Sequence, residues 1–556
     1  MRHIIYLVLS LVLLDLSAQD IPLVTNKVLI KDVMITTQPS ASPFLGDILI
    51  SDGLIERVQS DITPPYDAKV LEGDSMYVYA GFIAPASHIG LKTPEGPKDT
   101  NVARRGYPPN DIAGITPEKS IAEYYSTKES SIKDFREQGF SIAHILPDGM
   151  MLPGQGAIIS LGGDPLNKSI IIDNSSMFAK WETADVFPST LIGIMSKWRE
   201  LYRNAELTQK HAQGYKSNPL NRKRPAQDEA TEALWPVVSR QLPVYFKAEK
   251  LRDITRTLQL QKDLGFDLVI TEARDVDRIL DMVKGTGAHI LLSLDLPDKM
   301  EEKKSDQDST QVAATDEEKK KEALRLRKSS AIDRYTSQAK LLTEQGTPFS
   351  FSYLETKGKD VHPHIKRMVE GGLDKGTALE ALTTGPASLL GISDIAGTIE
   401  GGKLGNLVMM TGPIWEEDTK IKTVFVDGTS YELEVKKKKK KEASEGDADL
   451  DLAGTWNYSI EIPGMTPKGT LIFTKSGDGY DITVTSNQNP GEDVEGEEIE
   501  IDGSNVTFTF SMEAGPGMSI SVENSLDFDG DSFEGTVSVS DFGSFDITGT
   551  KASPEN

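Results

Sequence analysis

The stretch Tyr79-Ala80-Gly81-Phe82-Ile83-Ala84-Pro85-Ala86-Ser87-His88 decides the fold of this chain. It is an apolar run that ends in small residues and a single histidine. Short strands separated by turns are predicted before it, at residues 28–33, 46–50 and 70–71, and the pattern changes from Ala80 onward. The stretch therefore marks the start of a different structural unit.

The residues after Ala80 alternate between apolar runs and helical patterns. Buried strands are predicted at residues 140–146, 243–246, 267–271, 289–294 and 348–353, and helices at residues 251–264, 276–283 and 329–344. Apolar runs joined by helices of this length indicate parallel βα units. With this many units, the pattern favours an α/β protein with a TIM-like (β/α)8 barrel over an open sheet.

Several motifs resemble those of the amidohydrolase superfamily. Residues 79–88 resemble its first-strand motif, which reads roughly Pro-Gly-Phe-Ile-Asp-x-His-x-His. Residues 153–159 are similar to a Gly-Gln-x-Ala turn of imidazolonepropionase-like members, and residues 372–391 resemble their last barrel helix. Residues 397–407 resemble the closing signature of the family, with Gly405-Asn406 in place of Ala-Asp.

The resemblance covers roughly residues 24–435 and implies a domain layout. It places an amidohydrolase-like TIM barrel at residues 80–399. It also places a small β-sandwich beside the barrel, made from N- and C-flanking strands at residues 19–79 and 400–435.

The same resemblance implies that most ligands of the family's zinc site are missing. Ala84 stands at the Asp position of the first-strand motif and Ala86 at its first histidine, so that only His88 is retained. Zinc needs about three protein ligands and an open place for water. We therefore expect no cofactor, and His88 would be a metal ligand only if a metal were retained.

Three further family positions carry residues of a different chemistry, and no catalytic residue is predicted. Lys247 stands at the fifth-strand ligand position, and Thr271 near the sixth-strand histidine. Tyr353 stands at the eighth-strand aspartate, which in the family binds metal and moves the proton. The ligand position on the fourth strand is not identified.

Lys247 has two interpretations. It could form an ion pair with Glu249 or Glu272, or it could hold an anionic ligand where the family holds a cation. The sequence leaves both open.

The other histidines are interpreted as structural. His144 and His289 lie within apolar strand runs, which is typical of packed core residues. His362 and His364 flank a proline, and we interpret them as the beginning of a helix after the eighth strand.

Composition excludes several functions. The 556-residue chain contains no cysteine, which rules out disulfides, thiolate metal sites and a cysteine nucleophile. The formal net charge is −25, and residues 445–556 hold 23 acidic against 3 basic residues, a net of −20. Such a surface repels nucleic acid and anionic lipid, so no nucleic-acid partner is expected.

The N-terminus predicts a secreted or periplasmic protein. Residues 1–18 read as a signal peptide, with Arg2 and His3 before an apolar run at residues 4–14. No later segment is long and apolar enough to predict a membrane span.

The C-terminal part is predicted to be a separate all-β domain. A run of lysines at residues 436–441 precedes an acidic stretch, so residues 436–451 are interpreted as a linker. Residues 452–551 alternate between apolar and polar side chains, with Gly and Asp at the turns. This pattern indicates an acidic meander, loosely similar to lipocalin-like folds.

Two functions follow from the resemblance. The first is a secreted superfamily member that has lost most of its metal site and binds or scaffolds, with a catalytic amidohydrolase barrel as its partner. The second is a hydrolase of C–N bonds, in cyclic amides or peptides, that works without the usual complete metal site. The chain resembles the N-terminal half of long secreted bacterial members, in which a degenerate barrel and a β-domain precede an intact barrel.

Overall fold

A computed structural model describes most of the chain and divides it into two compact units, at residues 1–436 and 437–556. The described residues are 26–74, 76–92, 102–163, 165–297, 316–416, 418–433, 452–461, 466–476, 479–487, 493–502, 504–515, 518–539 and 543–552. The predicted signal peptide and the predicted linker lie outside them.

The first unit contains two sheets. Its strands are β1 (Lys27–Ile35), β2 (Phe44–Ser51), β3 (Leu54–Gln59), β4 (Lys69–Glu72), β5 (Tyr77–Ala80), β6 (Phe82–Ser87), β7 (Phe140–Ile145), β8 (Gly154–Ser160), β9 (Ile170–Lys180), β10 (Val244–Lys247), β11 (Leu268–Ala273), β12 (His289–Ser293), β13 (Phe349–Ser352), β14 (Leu407–Met410), β15 (Ile421–Val426) and β16 (Thr429–Glu432).

Helices connect most of these strands. They are α1 (Ser130–Glu137), α2 (Leu166–Ser169), α3 (Leu191–Ser217), α4 (Glu229–Glu232), α5 (Trp235–Val238), α6 (Leu251–Leu264), α7 (Leu280–Val283), α8 (Asp316–Glu344), α9 (Val361–Glu370), α10 (Lys375–Glu380) and α11 (Thr384–Leu389), with 3-10 turns at Ile121–Glu123, Val276–Arg278 and Gly358–Asp360. Among the described helices, none combines the length and the apolar character that a bilayer span requires.

Helix α6 shows how local sequence sets these elements. Ile254, Leu258 and their neighbours form a buried face at helical spacing. The helix ends at Gly265, whose φ of +84° is left-handed and favours glycine. The helix predicted at residues 251–264 is confirmed.

The strands that carry the sequence-predicted site residues form one barrel-like sheet. Its strand order runs from β6 to β13 in sequence order. A parallel bridge from Ser87 to Tyr353 then joins the end of β6 to the residue that follows β13. The first and last strands of the sheet therefore lie side by side.

Strand β8 departs from the parallel pattern that a (β/α)8 barrel requires. It runs antiparallel to both β7 and β9. Only residues 146–153 separate β7 from β8, and a parallel connection needs a dozen residues or more. The segment that was interpreted as a turn, residues 153–159, is thus mostly a strand.

The second sheet joins strands from both ends of the first unit. In the described part of the chain, its order is β16-β15-β14-β5-β1-β2-β3, with β4 paired to β1. Strand β14 pairs antiparallel with β5, with Leu407 opposite Ala80. The flanking strands that were expected to form a small sandwich therefore lie in one mixed sheet.

His144 is a fully buried polar residue in the barrel-like sheet. Its Nδ1 lies 2.9 Å from the Pro85 carbonyl oxygen, and its Nε2 lies 2.9 Å from the Ser176 hydroxyl. The carbonyl can only accept, so Nδ1 carries the proton. Burial lowers the pKa of His144 to about 4. The prediction that His144 and His289 are packed core residues is confirmed for His144. It is wrong for His289, which is exposed at the first position of β12.

The second unit is all-β, as predicted. Its strands are β17 (Gly454–Glu461), β18 (Lys468–Ser476), β19 (Gly479–Ser486), β20 (Val494–Glu495), β21 (Glu497–Asp502), β22 (Asn505–Gly515), β23 (Met518–Asp529), β24 (Ser532–Val539) and β25 (Gly543–Lys551). The first strand, β17, pairs antiparallel with both β18 and β25. Trp456 lies in its core and contacts Phe528 and Phe533.

We expect His144 to make the first unit less stable in mild acid. Its folded pKa of about 4 lies below the usual unfolded value of about 6.5, so stability is complete above pH 6.5 and falls as the pH drops toward 4. Between pH 7 and pH 5 the loss should be about 2 kcal/mol. Urea unfolding at both pH values measures this loss.

His144→Asn should remove that part of the pH dependence, and His211→Asn, at an exposed position of α3, should not. Equal slopes in both variants would contradict the assignment.

We also expect the two units to fold independently. Trypsin should cut within the lysine run at residues 436–441 and release two folded pieces, because each unit has its own hydrophobic cluster. Trp456 is the single tryptophan after residue 436, so its fluorescence reports the melting of the C-terminal piece. A variant with serines in place of the lysine run is the control. A C-terminal piece that shows no cooperative melt would contradict the prediction.

Candidate functional site

The candidate site lies where the strands of the barrel-like sheet end. His88 follows β6, Lys180 ends β9, Lys247 ends β10, and Tyr353 follows β13. Functional groups of parallel βα barrels lie at this end, because the loops after the strands meet there. The sequence-predicted residues therefore share one rim.

His88 and Tyr353 are neighbours across the closure of the sheet. The Tyr353 backbone N–H donates to the Ala86 carbonyl at 2.9 Å. The His88 Nδ1 lies 2.8 Å from the Leu146 carbonyl, so this nitrogen carries the proton and Nε2 is left as an acceptor. Desolvation lowers the pKa of His88, although the Leu146 bond opposes the shift. His88 is therefore a neutral imidazole at pH 7.

Tyr353 cannot replace the aspartate of the family as a base. Its ring packs edge-on against Phe140, at 4.9 Å between ring centroids, and against Phe135, at 6.1 Å. Its hydroxyl has no hydrogen-bond partner among the described residues. Burial raises its pKa well above the ordinary value, so the phenol stays protonated at neutral pH.

Lys247 lies in a group of carboxylates. Its Nζ contacts Glu355 most closely, and it lies 3.5 Å from Glu249 and 4.0 Å from Glu182. Of the two carboxylates that the sequence suggested as partners, the structure pairs it with Glu249; no ion pair joins it to Glu272 in the described part of the chain. Burial opposes the charge of Lys247, but the hydrogen bond and charge of Glu355 raise its pKa overall. Lys247 is therefore an ammonium group.

Lys180 was missed by the sequence analysis. It lies beside Lys247, in register on the neighbouring strand, and is 5% exposed. Its Nζ lies 2.9 Å from Asp148 and 3.1 Å from Glu182, so Glu182 links both lysines. The sequence could have indicated Lys180, because the apolar run of β9 ends in a lysine, as the run of β10 does.

Thr271 and Glu272 lie near the end of β11, which is buried along its whole length. Thr271 lies opposite Lys247 on the neighbouring strand, and its hydroxyl has no partner among the described residues. Glu272 is fully buried and has a φ of +57°, which is rare for a residue other than glycine. One carboxyl oxygen accepts from the Leu354 N–H at 3.2 Å, while Oε2 has no partner in the described structure. Desolvation raises the pKa of Glu272.

These residues do not fit a catalytic zinc ion. At the positions where the family has ligands, the strand ends carry the ammonium group of Lys247, a threonine and a neutral phenol, with Lys180 beside Lys247. Of the described residues at those positions, His88 alone offers an imidazole. Among the described residues, no three His, Asp or Glu side chains are grouped so that they could hold a metal. A protonated lysine cannot coordinate a cation.

Comparison with known proteins identifies the relatives of this fold. The sequence model of the Amidohydrolase family matches residues 269–430. An amidohydrolase from Thermotoga maritima MSB8 is 19% identical, with a TM-score of 0.59, over 73% of this chain and 100% of that one. No curated protein matches the chain.

Two other solved structures are similar at lower scores. A Xaa-Pro dipeptidase with bound methionine in the active site is 16% identical, with a TM-score of 0.41, over 73% of this chain and 100% of its own. Phenylurea hydrolase B is 12% identical, with a TM-score of 0.42, over 73% and 96%.

The match at residues 269–430 falls on the part of the chain that holds β11–β15. The motifs that begin and close the first unit agree with this assignment. The chain therefore matches the Amidohydrolase family in sequence over residues 269–430 and has the fold of an amidohydrolase.

Proposed function

We propose that this protein is a non-catalytic member of the superfamily that binds or scaffolds. The observation that carries the proposal is the pair of lysines, Lys180 and Lys247, at the strand ends, joined through Glu182. Lys247 stands at a position where the family has a metal ligand, and Lys180 lies in register beside it. Fixed positive charge there opposes a nearby divalent cation.

The missing chemistry extends to the proton-transfer step. A metal-dependent hydrolase lowers the pKa of a bound water toward neutrality and uses a nearby base to move the proton. His88 alone cannot supply the first function. Tyr353, a buried phenol with a raised pKa, cannot supply the second.

A C–N hydrolase of a different design is the second candidate, and Glu272 is the observation that favours it. A buried carboxyl group with a raised pKa and one unpaired oxygen is typical of a general acid. Against this role, its other oxygen holds the Leu354 N–H, and the side chain is fully buried.

The setting that we propose is secreted or periplasmic, with a catalytic amidohydrolase barrel as the partner. The apolar run at residues 4–14, which follows Arg2 and His3, supports the location. The resemblance to long secreted members, in which a degenerate barrel precedes an intact one, supports the partner.

We expect the purified protein to hold well under one metal ion per chain. The test is elemental analysis after expression in zinc-supplemented medium, together with hydrolysis assays on cyclic amides and dipeptides. No turnover is expected. A firmly bound, chelator-sensitive ion would overturn the proposal. Turnover that is lost in Glu272→Gln and kept in Lys247→Met would establish the second candidate.

We expect Lys247→Met to lower the free energy of unfolding by about 1 kcal/mol at neutral pH. The change leaves Glu355, Glu249 and Glu182 close together without their cation, but these carboxylates are 31–45% exposed, so water screens their repulsion. Urea unfolding measures the loss. Lys250→Met, at an exposed position nearby, is the matched control.

The mechanism of that loss can be checked separately. Adding Glu355→Gln to Lys247→Met should recover part of the stability, because it removes one of the repelling charges. A loss of several kcal/mol that Glu355→Gln does not reduce would show that Lys247 acts through packing instead.

A further inference from the structure

A cavity of about 510 Å³ opens beside the charged strand ends, between His88, Tyr353, helix α1 and the loop after β13. None of Asp148, Lys180, Glu182 and Lys247 lines it. Its volume lies in the range of pockets that hold small molecules, roughly 300–1,000 Å³. The cavity is therefore distinct from the cluster of ion pairs around Lys180 and Lys247.

Polar residues also line the cavity. Tyr353 and Thr356 are among them and are 2% and 8% exposed. Their hydroxyl oxygens are closed off from solvent, so a bound molecule would contact other atoms of these side chains. Recognition in this cavity therefore depends on its charged residues.

The walls of the cavity are apolar. Ile89, Phe135 and Leu354 line it and are each at least nine-tenths buried. They offer contact to a hydrocarbon segment rather than to a second polar group.

The lining carries charges of both signs on two neighbouring elements. Lys357 and Lys359 lie on the loop after β13, and both are exposed, with no ion-pair partner in the described part of the chain. Asp134 and Glu137 lie on α1, and Gly358, between the two lysines, packs against the Asp134 backbone. Among the described residues, Glu137 pairs with the exposed Lys133, at 3.7 Å. The cavity therefore offers a positive and a negative group to one ligand.

We propose that this cavity binds a small dipolar molecule with an apolar middle. Its carboxylate would lie toward Lys357 and Lys359, and its ammonium group toward Asp134 and Glu137. The proposal names a ligand class for the binding role proposed above and rests on it. An anion alone would face the carboxylates of α1, and a cation alone would face the two lysines.

Three probes of equal chain length test the charge pattern. Binding of 6-aminohexanoate, hexanoate and hexylammonium to the full chain can be measured by calorimetry and by ligand-observed NMR. We expect 6-aminohexanoate to bind at least about 10-fold more tightly than either singly charged probe, since each lost charge contact is worth roughly that factor. Equal or tighter binding of hexanoate or hexylammonium would overturn the dipolar class. No binding at millimolar concentration would overturn the site.

Variants locate the binding to this cavity. The double change Asp134→Asn and Glu137→Gln should remove the preference for 6-aminohexanoate over hexanoate, because it removes the carboxylates that α1 contributes to the lining. The double change Lys357→Ser and Lys359→Ser should remove the preference for 6-aminohexanoate over hexylammonium, while Lys422→Ser, at an exposed position of β15, should keep it. Unchanged affinity in both cavity variants would overturn the assignment.

The two proposals can fail separately. If the probes do not bind, and neither metal nor hydrolysis is detected, the proposed ligand site in the cavity is wrong and the non-catalytic role still stands. Metal-dependent hydrolysis overturns the non-catalytic role whatever the titrations show.

Discussion

The hydrogen bond from the Tyr353 backbone N–H to the Ala86 carbonyl, at 2.9 Å, is the contact on which the candidate site depends. It brings the residue after β13 against the end of β6, so that the barrel-like sheet has no free edge on this side. Because of this closure, the ends of β6, β9, β10 and β11 face a common rim. Without it, His88 and Tyr353 would lie at opposite edges of an open sheet.

The same rim shows how charged groups at converging strand ends balance one another. The side chains of Lys180 and Lys247 are 6% and 14% exposed, so each ammonium group needs an opposite charge nearby. Here carboxylates from four loops surround two lysines, so each ammonium group has acidic neighbours. The network keeps the strand ends in place with charge balance instead of coordination.

Much of the fold could be predicted from the sequence, because apolar runs and helix ends are local signals. Helix α6 agrees with its prediction to the residue, since its buried face and Gly265 are both visible in the chain. The direction of β8 could not be predicted from its apolar run, which reads the same in either direction. Only the short connection before it indicates that it is antiparallel.

Only part of the candidate site could be predicted from the sequence. His88, Lys247, Thr271 and Tyr353 came from motif positions, and the structure brings them to one rim. Lys180 was not recognised, and Glu272 was considered only as an ion-pair partner of Lys247, because the setting of both residues depends on burial and on contacts between distant segments. Glu355 is an ordinary loop residue until β10 and β13 are seen to end near each other.

The pairing of β5 with β14 also determines when this protein can fold. Ala80 lies opposite Leu407, so more than 300 residues of chain must be made before the edge of β5 is covered. Contacts of such high sequence separation slow folding, because the entropy of closing the intervening chain is lost before the contacts form. Until then, β5 presents open backbone groups that other chains can pair with. During synthesis, the uncovered edge of β5 is therefore a place in the first strands where aggregation can begin.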